Sequence, residues 1–422
     1  MSFEWPARAV GELTINHDGR RRPVKESDRR RGPYPYYGAS GIVDSVDGYL
    51  FDGCYLLIGE DGENLRTRQT PIAFLASGKF WVNNHAHIVT GNELADTRFL
   101  MYALLNADIS AYLTGAVMPK LTQGNLNRIE LPCPPRAVQQ SIVETLGALD
   151  DRIALLRETN ATLEAIAQAL FKSWFIDFDP VRAKQQGLAP AGMNEATAAL
   201  FPGSFEESTL GPIPSGWHHF PVYEMATYIN GAAYKAFEPN ADRQGRPIVK
   251  IAELKSGVTT QTAFSAVEMP LKYLINTGDI LFSWSGNPDT SIDTFVWTHE
   301  PAWLNQHIFR VLPQKDTDRA FVLQLLRHLR PVFAELARNK QTTGLGHVTV
   351  ADLKRLIVAR PNAPVLAAFD LVAGPIQSRM FSNEQQAKTL ATVRDTLLPR
   401  LISGQIRLAP AQEAIAEATH AD

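Results

Sequence analysis

The sequence predicts a mixed α+β chain in which two globular domains are separated by two long antiparallel coiled-coil helices related by a pseudo-twofold internal repeat. Three observations carry this. A segment of more than fifty residues recurs at constant register, each copy contains a four-and-three alternation of apolar residues, and short apolar runs bounded by Gly, Asp and Asn fill the rest.

The repeat comes first because it constrains every other element. Leu121-Thr122, Asn125-Leu126 and Arg128-Ile129 recur as Val348-Thr349, Asp352-Leu353 and Arg355-Leu356, each pair 227 apart (349 − 122). The same shift carries Pro134 onto Pro361, Arg152 onto Arg379, Leu163 onto Leu390 and Leu170 onto Leu397. Upstream the match loosens. Trp81-Val82-Asn83-Asn84-His85 resembles Trp303-Leu304-Asn305-Gln306-His307 at a shift of 222, and Trp5, Val10 and Glu12 resemble Trp217, Val222 and Glu224 at 212, so loop lengths differ between copies.

In the first copy the seam runs Ile142, Leu146, Leu149, Ile153, Leu156, Asn160, Leu163, Ala167, Leu170, Trp174, the spacing of a coiled coil. The second seam reads Phe369, Ala373, Ile376, Met380, Asn383, Ala387, Leu390, Arg394, Leu397, Leu401, weakened by Asn383 and Arg394. A helix of roughly 33 residues spans about 50 Å. Pairing of the seams buries both, and Asn160 is placed to fix their register. An ordinary helical bundle is the blander alternative.

The segmentation that follows is a first globular domain at 1–134, a spacer helix at 135–176, an extended Pro-rich connector at 177–214, a second globular domain at 215–361, a distal helix at 362–404 and a tail at 405–422. Within the globular parts, Tyr55-Leu56-Leu57-Ile58, Ile280-Leu281-Phe282 and His307-Ile308-Phe309-Arg310-Val311 read as strands.

With 422 residues, 45% hydrophobic and 20% charged, the chain is long enough for two or three domains with their own cores. Cys54 and Cys133 are its only cysteines and lie in no CxxC or Cys/His cluster, which gives no support to a disulfide framework or a structural zinc and fits the reducing cytoplasm. The first residues lack the order of a signal peptide, and no run of about 18 apolar residues occurs, so no membrane association is expected. A net charge of −3 argues against a uniformly basic nucleic-acid binder but not against a local basic face.

The connector carries a family resemblance. Trp174-Phe175-Ile176-Asp177-Phe178-Asp179-Pro180-Val181-Arg182, then Ala199-Leu200-Phe201-Pro202 and Leu210-Gly211-Pro212-Ile213-Pro214-Ser215-Gly216-Trp217, closely resemble the central region of the specificity subunits of type I restriction-modification systems. The Pro-rich entry to each helix and the half-length repeat are shared with that family, so the likeness covers nearly the whole chain. It implies two target-recognition domains, each reading one half of a split double-stranded DNA site. It also implies helices that bind two modification (methyltransferase) subunits, to which restriction subunits add. The chain itself would have no catalytic role and no cofactor; its partners would use S-adenosylmethionine, and ATP with magnesium. Independently, about 50 Å of helix corresponds to roughly 14 to 15 base pairs, a spacing that suits a gapped site. The second copy departs from the first in its polar seam positions and in its Ala- and Glu-rich tail.

Candidate DNA-contacting residues follow from charge and side-chain chemistry. Arg20, Arg21, Arg22, Lys25, Arg29, Arg30 and Arg31 place seven cations within twelve positions, a phosphate-contacting loop or else a solvated charge run. Tyr36, beside Tyr34 and Tyr37, either stacks near that loop or is core. Asn84 and His85, with Gln306 and His307, carry side chains able to pair with base edges or to satisfy buried backbone. Lys120 and His347 precede the repeated Leu/Val-Thr pair, with Thr114-Gly115 and Thr343-Gly344 just upstream, while Lys235, Lys250, Lys255 and Lys272 are dispersed. For partner binding by the helices the candidates are Leu149, Ile153, Leu156, Leu163, Leu170, Ile376, Met380, Leu390 and Leu397.

Catalytic motifs are missing. There is no GxxxxGK[ST] loop, Asn287-Pro288-Asp289 lacks the second proline of a methyltransferase tetrapeptide, and neither HExxH nor GxSxG occurs. A protein scaffold and a stand-alone DNA-binding regulator are the competing readings; the basic loop and the duplication favour DNA recognition within a complex.

Overall fold

The structure, a computed structural model, describes residues 5–209, 211–341 and 345–408. It divides into two units, one formed by the residues up to Ala154 together with those from Lys388 onward, the other by Leu155–Ala387. Both divisions fall inside long helices, so each unit contains a stretch of each helix.

The first unit is built on a six-stranded sheet in the order Thr14–Asn16, Ala86–Gly91, Phe51–Gly59, Ala73–Val82, Tyr34–Gly38, Gly41–Val46. The second half of Phe51–Gly59, Leu56-Leu57-Ile58, is apolar on both faces, alternate side chains entering different cores. Leu56 and Ile58 pack with Phe99, Leu100 and Leu126, whereas Leu57 packs with Phe80, Val82 and Ile88. Helix Thr97–Asn106 covers one face and is capped by Asp96, whose carboxylate accepts from the Arg98 and Phe99 amides.

In the second unit the same alternation recurs. Ile280 and Phe282 enter one core with Phe309, Phe321 and Phe333, while Leu281 enters another with Val249, Trp297 and Leu304. The sheet order is Ala226–Asn230, Ile308–Pro313, Ile280–Ser283, Asp293–Val296, beside a second four-stranded sheet containing Arg246–Val249 and Ala302–Leu304. The loosely matched N-terminal segments are structurally equivalent: the Val10 amide donates to Ile129 O and the Val222 amide to Leu356 O, each at 2.8 Å.

Two continuous helices, Arg136–Phe175 and Ala363–Ile402, run 40 residues each, or about 60 Å. This is longer than the seam alone implies, because the first helix already begins at Arg136, where the Pro135 carbonyl accepts the Val138 and Gln139 amides. The helices are antiparallel within each unit. In the second, Asn160 Nδ2 donates to Met380 O and Asn383 Nδ2 to Asn160 Oδ1, both at 2.9 Å. In the first, Arg394 Nη1 donates to Asp150 Oδ1 at 2.7 Å while the Tyr102 hydroxyl donates to Asp150 Oδ2 at 2.6 Å. The two polar interruptions of the second seam are therefore paired across the helices.

Residues 177–214 depart from the extended connector read in the sequence. Helices Asp179–Gln185 and Glu195–Ala199 form there, and Val181 and Phe201 are buried beside Trp174, Phe175 and Trp217. Pro180 sits in the first turn of its helix, where its missing N–H costs nothing, so this proline starts a short helix rather than excluding one, while Asn194 caps the other. No helix among the described residues is long and apolar enough to cross a membrane, and no cluster of His, Cys, Asp and Glu there is suited to a metal ion. Most of the tail, from residue 409, lies outside the described residues.

Candidate nucleic-acid interface

At one end of each sheet the two units build the same main-chain frame from three segments. In the first, the Glu60 amide donates to His85 O at 2.9 Å, the Leu121 amide to Glu60 O at 2.8 Å, and the Gly62 amide to Pro119 O at 3.1 Å. In the second, the Trp284 amide donates to His307 O at 3.3 Å and the Val348 amide to Trp284 O at 2.8 Å, with Ser285 and Gly286 paired to His347 and Gly346. Glu60 and Trp284, Asp61 and Ser285, Lys120 and His347 are thus equivalent positions. Sequence comparison missed the first two, although Leu56-Leu57-Ile58 and Ile280-Leu281-Phe282, followed by Gly62 and Gly286, keep a constant shift of 224 (286 − 62) that contains the signal.

Side chains on this frame differ in kind. In the first unit His87, 1% exposed, bridges Asp18 Oδ2 at 2.6 Å and Leu121 O at 2.8 Å. Arg21 reaches Glu60 at 2.7 Å and Asp18 at 3.3 Å, and Lys120 reaches Glu60 at 3.3 Å. Burial pushes the Asp18 carboxyl up, but hydrogen bonds from His87 and the Ile88 amide and the neighbouring positive charge outweigh it and hold the group below its ordinary value. For Glu60, burial is likewise outweighed by Arg21, His87 and Lys120. The strand register places Asn230 and Phe309 where the first unit has Asp18 and His87 (230 − 18 = 212; 309 − 87 = 222). There Asn230 Oδ1 accepts from Trp284 Nε1 at 3.1 Å, and the Trp284 ring lies 5.8 Å from Phe309 and 5.7 Å from His307. An ion cluster in one unit is an amide and aromatic cluster in the other.

The basic run splits into structural and free cations. Arg21 belongs to the buried cluster, and Arg29 pairs with Asp44 at 3.0 Å and lies over the Tyr36 ring. Arg20 is exposed but lies over the Phe51 ring and donates from Nη2 to Leu50 O at 2.9 Å; Arg22, Lys25, Arg30 and Arg31 are exposed. Of the two roles open to Tyr36, stacking near the basic loop or core, the structure places it in the core: it is 1% exposed and its hydroxyl accepts the Val24 amide at 3.0 Å. Asn84 and His85 are exposed, His85 bonding Asp61 at 2.8 Å; the Gln306 amide donates to His307 Nε2 at 3.2 Å. Lys250, half-exposed, lies over the Tyr234 ring at 5.2 Å. Thr343-Gly344 lies outside the described residues.

The helix candidates need a similar correction. Leu149, Ile153, Leu156, Leu163, Leu170, Ile376, Met380, Leu390 and Leu397 are all buried or half-buried, because the seams face each other within the chain. The exposed apolar residues of the helices lie elsewhere, among them Ile166 and Val393, which are repeat equivalents (393 − 166 = 227).

A duplicated main-chain frame carrying two unlike sets of polar, aromatic and basic side chains defines a two-part recognition module. Residues 4–165 and 214–366 both match the family of type I restriction modification DNA specificity domains, and the chain belongs to that family. It is 25% identical over 365 residues to the type I restriction enzyme MjaIX specificity subunit of Methanocaldococcus jannaschii, covering 84% of this chain and 80% of that protein. It is 25% identical over 403 residues to the HindI specificity subunit of Haemophilus influenzae, covering 84% of each. The fold is that of the type I specificity subunit from M. genitalium, with a TM-score of 0.57 at 15% identity over 94% of this chain and 96% of that one. The chain is accordingly a specificity subunit, a recognition component rather than an enzyme.

Proposed function

We propose that each recognition unit reads one half of a bipartite, gapped double-stranded DNA target, and that the chain directs adenine methylation, and restriction where restriction subunits join, to that target. The observation that carries this is the pair of equivalent frames with unlike side chains. A split target whose halves differ in sequence calls for one scaffold used twice and read differently each time. Arg20, Arg22, Lys25, Arg30 and Arg31 supply phosphate contacts in the first unit; His85 with Asn84, and His307 with Gln306, lie at the reading surface beside Lys120 and His347.

Two modification subunits dock on the long helices, and the exposed repeat equivalents Ile166 and Val393 offer each an apolar contact. S-adenosylmethionine, ATP and magnesium belong to the partners, this chain holds no cofactor, and the complex works in the cytoplasm. The test is co-expression with a modification subunit followed by mapping of methylated adenines in host DNA. A gapped two-part motif that disappears when this chain is deleted supports the reading; methylation unchanged by the deletion overturns it in favour of a scaffold or an independent regulator.

A further inference from the structure

Beside each frame an apolar side chain stands out into solvent where the frame's own chemistry gives it nothing to cover. In the first unit, Thr114 and Lys120 exchange main-chain hydrogen bonds at 2.8 and 2.7 Å and close the loop Gly115-Ala116-Val117-Met118-Pro119. Gly115 has φ +86°, and a Cβ there would lie 2.1 Å from Met118 O, so only glycine permits this turn. Arg66 Nη2 donates to Gly115 O at 2.8 Å, and the Pro119 carbonyl is held by Gly62. The loop is pinned at both ends, yet Val117 is 95% and Met118 63% exposed.

In the second unit, Leu345 occupies the position equivalent to Met118 (345 − 118 = 227) and is 59% exposed. The next residues, Gly346 and His347, are fixed by pairing with Gly286 and Ser285. Two large apolar side chains therefore hold the same place on two otherwise divergent surfaces.

We propose that Met118 and Leu345 are apolar wedges, one per recognition unit, that press into the base stack of double-stranded DNA at each half-site. Deepening the DNA-reading proposal above, this assignment rests on it. Three features favour a duplex over a protein. A partner protein docking in two identical copies needs the same surroundings at both contacts, whereas here the repeat sets Glu60 in the position of Trp284, Asp61 in that of Ser285 and Lys120 in that of His347. Arg66 and Lys120 flank the first loop close to half exposed; each pairs with a carboxylate, Glu63 at 3.6 Å and Glu60 at 3.3 Å, that a phosphate would have to displace. Long apolar side chains such as Met and Leu are those that unstack base steps, a contact indifferent to base identity. The shared apolar residue would then supply a sequence-independent hold, and the variable neighbours the sequence.

The test uses the chain assembled with its modification subunits on the duplex defined by methylation mapping, with 2-aminopurine placed at successive positions of each half-site. Wild-type complex is expected to raise 2-aminopurine fluorescence at one step per half. Met118→Ser should abolish the signal in one half only and Leu345→Ser in the other, each lowering the methylation rate at least tenfold without changing the motif. Met118→Leu and Leu345→Met should retain both signals. Unchanged fluorescence and rate in the Ser variants, a changed motif, or loss of co-purifying modification subunits each overturns the wedge, while the wild-type motif still stands for the DNA reading. Absence of any gapped motif with wild-type chain overturns the DNA reading itself.

Discussion

The two recognition units solve one structural problem with opposite chemistry. At equivalent positions the first has Asp18, Glu60 and His87, tied to Arg21 and Lys120, and the second has Asn230, Trp284 and Phe309. What stays constant is the run of amide-to-carbonyl bonds through His85, Glu60 and Leu121, or through His307, Trp284 and Val348. The difference teaches that the frame is carried by main chain, and that the groups packed around it need only satisfy one another.

The comparison breaks most visibly when one member of the charged cluster is removed. Asp18→Ala leaves His87 and Arg21 without their buried carboxylate and should destabilise the first unit by about 3–5 kcal/mol, whereas Asn230→Ala loses a single neutral hydrogen bond and should cost about 1 kcal/mol. Urea denaturation of both variants measures the gap, and equal losses would show that the two clusters are energetically alike.

Next in size is the salt dependence of DNA binding. The shift that aligns Asp18 with Asn230 sets Arg20-Arg21-Arg22 against Ala232-Ala233-Tyr234, so the phosphate contribution should be lopsided. Replacing Arg22, Arg30 and Arg31 together by Gln should flatten the slope of log K against log salt by about 2.7, at about 0.9 per phosphate released. Replacing Lys235 and Lys272 should move it less. Arg21→Gln should instead lower stability, since that guanidinium is committed to Asp18 and Glu60.

Between the helices, Asn383→Ala removes the donor to Asn160 Oδ1 and should cost about 1–2 kcal/mol in the second unit. Arg394→Gln, which gives up a half-buried ion pair to Asp150, should cost about 1 kcal/mol in the first. Thermal melts of the two variants rank them.

The smallest effect is one of pH. Asp18 and Glu60 are held below their ordinary values when folded, so they stabilise the first unit fully above the unfolded carboxylate range near pH 4. That contribution drains away as pH falls through the lower folded values. The Asn230, Trp284 and Phe309 cluster contains no carboxylate to lose. Asp18→Asn should therefore flatten the acid side of the stability profile, seen by denaturation between about pH 3 and 6, while Asn230→Ala should leave its shape unchanged.

Much of this was legible in the sequence because periodicity and register survive substitution. The seam from Ile142 to Trp174 and the 227-residue shift identify both long helices and their pairing, and Asn160, a polar residue within the seam, bonds to Asn383 and Met380. What the sequence hid depends on contacts between distant segments. Arg21 meets Glu60 39 positions away, and Lys120 reaches back to the same carboxylate, so counting cations overstated the free positive charge. Tyr36, for which the sequence leaves stacking and core equally open, is core because the loop from Val24 folds over it. The prolines of the connector read as breakers by sequence alone, whereas Pro180 opens a helix.

A main-chain frame also separates two kinds of inheritance. Residues at positions such as Glu60 and Trp284 are bound to the fold through amides and carbonyls that any non-proline side chain retains. A lineage can therefore drift in what it recognises while its architecture stands still. Drift is constrained differently on each half: on the first a new side chain at Glu60 must arrive with compensation for Arg21 and Lys120, and on the second a new one at Trp284 must replace the bond to Asn230 and the packing on Phe309.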